Sequence, residues 1–148
     1  MGIPIVARNN VDEADEMSDT HALLFANSGF YAAFATRDFA AMEAVWSARD
    51  HVSCIHPGWS ALIGRESVMD SWRTILTSSN APRISCHNAS AFLYDVVGYV
   101  ICYEVLPDGI LIATNVFARE AGEWKLVHHQ AGQSPAPAHL ESAHHSLQ

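Results

Sequence analysis

Apolar residues recur at helical spacing in the first half of the chain and in strand-like runs in the second, and the period changes near Pro82. Ser18 or Asp19 can cap a helix carrying His21, Leu24, Phe25, Phe30, Tyr31 and Phe34, with Gly29 weakening its middle. Asp38 can cap a short second helix with Phe39, Met42, Val45 and Trp46, and Gly64-Arg65-Glu66 opens a third with Val68, Met69, Trp72, Ile75 and Leu76 on one side. Between them, His51 to His56 reads as a short strand that Pro57-Gly58 turns.

Four strands follow: Arg83 to Tyr94, Gly98 to Leu106, Ile110 to Arg119 and Glu123 to Gln133. Turns at Asp95 to Val97, Pro107-Asp108-Gly109 and Ala121-Gly122 join them, so consecutive hairpins predict an antiparallel meander with the 51 to 56 strand at its side. Helices followed by such a sheet make an α+β fold, a cone-shaped, strongly curved antiparallel sheet covered by three N-terminal helices, whose mouth can hold a small molecule. Residues 1–17 are acidic and without period and read as a flexible arm, 18–134 as a single domain, and 135–148 as a flexible tail whose His139, His144 and His145 are too mobile to act as ligands.

Side chains that pair across a hairpin share a face. With a three-residue Pro107-Asp108-Gly109 loop, Leu106 pairs with Ile110, and Tyr99, Ile101, Tyr103 and Val105 share a face with Leu111, Ala113, Asn115 and Phe117. The helices are expected to cover that face. For the last hairpin, a two-residue Ala121-Gly122 loop brings Trp124, His128 and Gln130 to it, whereas a three-residue loop brings Lys125, Val127 and His129. Apolar residues occupy both phases from Ile110 to Val116, which predicts a homodimer joined through the other face.

A formal charge of -8 with eight scattered basic residues argues against nucleic acid. No stretch approaches the ~20 apolar residues that cross a bilayer, and no basic leader precedes a long apolar run, so a soluble chain with no membrane partner is expected. Cys54, Cys86 and Cys102 are odd in number, lack zinc spacing and sit in apolar runs, which suits free thiols in a reducing cytoplasm.

His56-Pro57-Gly58-Trp59, Gly64-Arg65-Glu66 with Trp72 beyond it, and Gly122-Glu123-Trp124-Lys125-Leu126-Val127-His128-His129 resemble the SnoaL-like branch of the nuclear transport factor 2-like superfamily, over about residues 20 to 134. Trp124 to Pro137 also resembles the end of the association (hub) domain of calcium/calmodulin-dependent kinase II, although Gln130 replaces the second histidine of that pattern and Gly132-Gln133-Ser134 replaces its Ser-Gly. The resemblance implies the cone-shaped, cystatin-like α+β fold and dimers formed through the sheet. It covers cyclases, isomerases and dehydratases of apolar substrates as well as assembly modules, so the residues must choose the chemistry.

The candidate catalytic residues are His128, His129, Tyr103 and His56. A neutral histidine near a tyrosine hydroxyl and an asparagine amide can move a proton between carbon and oxygen of a substrate, and an unperturbed histidine titrates near ~6.5. Asn115, Trp59, Ile101, Phe117 and Tyr99 are the candidate ligand contacts, with His56 and Trp59 at the mouth, and Asn115→Leu is expected to abolish binding while sparing the fold. The competing reading of each histidine is a packed structural residue with one satisfied nitrogen. Ketosteroid isomerase-like relatives use a carboxylate base, and the only candidate in the sheet, Glu104, falls on the face opposite Tyr103. His128 and His129 are strand neighbours that point to opposite faces, so no metal site is expected, and neither is a cofactor. The chemistry points to a small apolar molecule, either as substrate of an isomerase, cyclase or dehydratase-like enzyme or as ligand of a non-catalytic binding or assembly module.

Overall fold

The structure, a computed structural model, describes residues 10–141, so the Met1 to Arg8 start, His144 and His145 lie outside the described residues. The first helix, α1, runs Asn10–Ala35 and begins well before the expected Ser18. Asp12 and Glu13 sit in its first turn, where carboxylates favour the positive end of the helix dipole. Its side chains from Asp12 to Ser18 are exposed, so that turn carries no apolar stripe to betray it. The buried stripe is Leu23, Asn27, Phe30, Tyr31 and Phe34, whereas Phe25, expected on it, is 67% exposed. One asparagine therefore enters the interior on an otherwise apolar face.

Asp38 caps α2 (Phe39–Val45) by accepting from the Ala41 amide at 3.0 Å. Gly64, at a φ of 93° that favours glycine, opens α3 (Arg65–Thr77), which buries Val68, Met69, Ser71, Trp72 and Leu76. No helix among the described residues is long and apolar enough to cross a membrane.

The strands are β1 (Ser53–Ile55), β2 (Leu62–Ile63), β3 (Ser85–Tyr94), β4 (Val97–Leu106), β5 (Gly109–Glu120) and β6 (Glu123–Gln133). They form a curved, unclosed sheet in the order β2-β1-β6-β5-β4-β3. All neighbours are antiparallel except β1 and β6, which run parallel, so the sheet is mixed and not wholly antiparallel as expected. Tight turns dictate direction only within the meander. β1 reaches β6 across α3 and four other strands, and no turn constrains it.

Two details of register decide what faces the helices. Leu106 pairs with Gly109, so the β4–β5 loop is the two residues Pro107-Asp108 and not three. A slip of one residue exchanges the faces of a strand. The inner face thus carries Val100, Cys102 and Glu104 opposite Asn115, Ala113 and Leu111, while Tyr99, Ile101 and Tyr103 turn outward beside Val116, Thr114 and Ile112. At the next hairpin, Ala121 and Gly122 form a two-residue turn with φ of 50° and 80°, the positive pair that a tight hairpin needs. A bulge follows: Phe117 pairs with Leu126 and Val116 with His128, which leaves Val127 unpaired and reverses the alternation of β6. Trp124 and Leu126 point inward before the bulge, and His129 and Ala131 after it.

The core lies between the inner face and the helices, around Phe30, Met42, Trp46, Trp72, Phe117 and Leu126. α1 closes tightly on β4 at Gly98, where an added Cβ would come within 2.6 Å of Leu23.

Candidate functional site

Asn27, Glu104, Asn115 and His129, buried polar residues of the interior, are linked with Tyr31 in one network. Asn115 on β5 donates through Nδ2 to Asn27 Oδ1 at 2.8 Å and to the Tyr31 hydroxyl at 3.1 Å. Its Oδ1 must then accept, and it does so from His129 Nδ1–H at 2.5 Å. That bond fixes the tautomer of His129 and leaves its Nε2 with a free lone pair. Tyr31 donates its own proton to Glu104 Oε2 at 2.7 Å, and His129 Nε2 stands 3.9 Å from the same oxygen. Such a separation exceeds a direct hydrogen bond, so the two atoms are not bonded to each other.

His56, just beyond β1, is held in the same manner from α3. The Ser71 hydroxyl donates to the Val68 carbonyl at 2.7 Å, so it accepts from His56 Nε2–H at 2.9 Å and leaves Nδ1 as the basic nitrogen. The His56 ring packs edge-on against Trp59 and Trp72, each 4.8 Å away between centroids, and lies 6.5 Å from the His129 ring.

Burial sets the charges. It pushes the Glu104 carboxyl up from an ordinary 4.5 to about 7, against the opposing hydrogen bond from Tyr31. It also lowers His129 to about 3, helped by His56 and His128, and His56 to about 4. Near neutral pH the two histidines are therefore uncharged bases, and Glu104 sits at the midpoint of its titration. Glu104 and His129 are not an ion pair despite their proximity. Burial also raises Tyr31 well above its ordinary value and Cys54 to about 12, while a hydrogen bond with Cys102 raises Cys86, so these three stay protonated.

These groups meet at a cavity of about 410 Å³. Its walls are Phe34, Trp59, Trp72, Ile75, Ile84, Leu106 and Leu111 with Pro57 and Pro82, and its polar groups are Glu104, His56, His129 and Asp108. A second hollow of about 420 Å³ lies between α1, α2 and the Gly122 turn, and its charged lining groups, Glu123 and Lys125, pair with each other at 3.3 Å. Among the described residues no cluster of three His, Cys, Asp or Glu side chains could hold a metal ion.

Of the residues singled out from sequence, the cavity brings together His129, His56 and Trp59, the last 46% exposed. Asn115 and Phe117 are fully buried on the inner face, where Asn115 orients His129 from behind. Tyr103, Ile101 and Tyr99 lie on the outer face, because the Pro107-Asp108 loop is one residue shorter than expected. His128 is also outward, with its Nδ1 2.7 Å from the Ser53 hydroxyl. Sequence reasoning weighed Glu104 as a base and set it aside for falling on the face opposite Tyr103, and it gave Tyr31, Asn27 and Ser71 no site role. The available signal was polarity at positions whose neighbours are apolar: Asn27 on the α1 stripe and Glu104 between Cys102 and Leu106.

The SnoaL-like domain family matches residues 24–137. Among solved structures, a candidate calcium/calmodulin-dependent protein kinase type II association domain from Thiobacillus denitrificans is 34% identical, with a TM-score of 0.68 over 74% of this chain and 93% of that one. A candidate dehydratase of the NTF2-like family from Streptomyces avermitilis is 28% identical, with a TM-score of 0.74 over 82% of this chain and 99% of that one. The F-box protein SKIP8 of Arabidopsis thaliana is 26% identical over 76% of this chain, which spans 49% of that relative's length. With more than half of its length matched and its curved sheet backed by helices, the chain belongs to the SnoaL-like domain family and has the NTF2-like fold.

Proposed function

We propose that the chain binds a small molecule with a largely apolar body in this cavity and moves a proton on it, as a cofactor-independent acid–base catalyst of the isomerase or dehydratase kind. The observation that carries this reading is a buried carboxyl, Glu104, facing the free Nε2 of a neutral histidine in an apolar-walled space. An acid or base is most useful when it titrates near the working pH, and Glu104 does so at about 7. Glu104 is the principal base, His129 and His56, uncharged near neutral pH, offer acceptor nitrogens that orient the substrate, and Tyr31 steadies the carboxylate. The likeness to a candidate dehydratase supports the same class of chemistry.

The test is exchange of carbon-bound protons in D₂O, followed by proton NMR, for a panel of small cyclic ketones and enones. Faster exchange than in buffer, rising as pH passes through the Glu104 titration, is expected for at least part of the panel. Exchange no faster than in buffer across the whole panel contradicts catalysis and leaves a binding role.

The outer sheet face supports a second property, assembly with another copy of the chain. Phe92, Tyr94 and Ile112 are 42%, 79% and 37% exposed there, and Phe92 stacks on Tyr99 at 4.9 Å. A contiguous aromatic and aliphatic surface of this kind is best covered by a partner, and we propose a homodimer through it. Light scattering at micromolar concentration should give twice the 16.2 kDa chain mass, and Ile112→Lys should halve it. A wild-type monomer contradicts the interface. The three free thiols, two of them buried, fit a reducing compartment, and we place the chain in the cytoplasm.

A further inference from the structure

The charge pattern of the cavity narrows what it takes. Both ionisable acids that line it, Glu104 at the inner end and Asp108 at the mouth, are carboxyls, and its two histidines are neutral. No lysine or arginine is among its lining residues. The nearby arginines are engaged elsewhere: Arg37 on the Ser78 and Ala81 carbonyls, Arg65 on those of Glu43, Trp46 and Ser47, and Arg73 over the Phe39 ring. Arg83, between two lining residues, is exposed to solvent.

Glu104 itself is incomplete. The residue is 3% exposed, its Oε2 accepts from Tyr31, and among the described residues its Oε1 has no hydrogen-bond partner. The titratable groups facing it are Tyr31 from α1, Cys54 from β1, Cys86 from β3 and His129 from β6, none of them positively charged at neutral pH. An anion placed beside Glu104 would meet no positive charge, and the Trp72 Nε1–H, unpartnered among the described residues, is a neutral donor that the lining adds. An uncharged ligand fits but leaves the charge of the ionised carboxylate uncompensated. A cation offsets the carboxylate charge, and Trp59, Trp72 and Phe34 line the same space as aromatic neighbours that tolerate positive charge.

We infer that the cavity selects an organic cation whose charge is shielded by alkyl or aryl groups, such as a tertiary or quaternary ammonium or a flat iminium, over its uncharged and anionic counterparts. The inference rests on the cavity being a small-molecule site and deepens that reading. Proton linkage follows, because a cation beside a half-protonated carboxyl drives the proton off it.

The test compares phenyltrimethylammonium, its carbon isostere tert-butylbenzene and benzoate with the full chain at pH 8, by tryptophan fluorescence and calorimetry. The cation should bind at least roughly tenfold more tightly than the isostere, and benzoate should not bind. Near pH 7 the binding heat of the cation should vary with the ionisation heat of the buffer, reporting proton release. Glu104→Gln should remove most of the cation preference, roughly tenfold, and leave the smaller part due to Asp108 and the rings. Should that variant unfold, Asp108→Asn on the exposed turn should still reduce the preference severalfold. An isostere that binds as tightly as the cation, or a binding heat independent of buffer, overturns the cation assignment while the cavity remains a binding site. Failure of all three probes to bind overturns both.

Discussion

Glu104→Gln should lower proton transfer on a bound substrate by roughly 100- to 10,000-fold, the range lost when a positioned general base is removed. Glutamine keeps the shape and can still accept from Tyr31, so ligand affinity for uncharged molecules should change little. The same substitution should alter the pH dependence of stability. Glu104 holds its proton up to about 7 when folded and releases it near 4.5 when unfolded. Between those values the folded state binds more protons, so this stabilisation is complete below 4.5 and disappears as pH rises to 7. The gap is worth at most about 3 kcal/mol. His129 and His56 act in the opposite sense: lowered to about 3 and about 4, they cost stability as pH falls below their unfolded value of 6.5. Urea unfolding at pH 5 and pH 8 should therefore show Glu104→Gln gaining relative to wild type as pH rises. An unchanged difference would mean that the carboxyl is not held protonated by burial.

Asn115→Leu should destabilise the fold by about 3 kcal/mol or more, and not leave it intact as the sequence alone suggested. Leucine strands the Asn27 Oδ1 acceptor and the His129 Nδ1–H donor in the interior, and each buried unsatisfied group costs about 1–3 kcal/mol. With its Nδ1 bond gone, His129 is no longer bound to one tautomer, and activity should fall with stability. Chemical denaturation checks the first effect. If Asn115→Leu unfolds at the wild-type denaturant concentration, the network is not what holds the inner face together.

The fold was largely legible because its signals are local. Asp38 caps α2 as its chemistry demands, the α3 stripe of Val68, Met69, Trp72 and Leu76 is buried, and each meander strand lies within two residues of its expected ends. The site was legible only in part, because it depends on phase. One residue in the Pro107 turn placed Tyr103 with Asn115, and Glu104, Cys102 and Thr114 then read as the outer face. The choice between His128 and His129 hung on a bulge at Val127, a residue type that carries no mark of irregular pairing. Tyr31 reads as packing on an apolar stripe until its hydroxyl is seen at Glu104. The parallel pairing of β1 with β6 is set by tertiary packing and leaves no local trace.

The proposed chemistry requires a carboxyl in the cavity poised between its two protonation states near neutral pH. It is tested most directly by following the Glu104 side-chain carbon by ¹³C NMR across pH 3 to 9 in uniformly labelled protein, with Glu104→Gln to assign the signal. The expected midpoint is about 7. A midpoint at the ordinary 4.5 would contradict it.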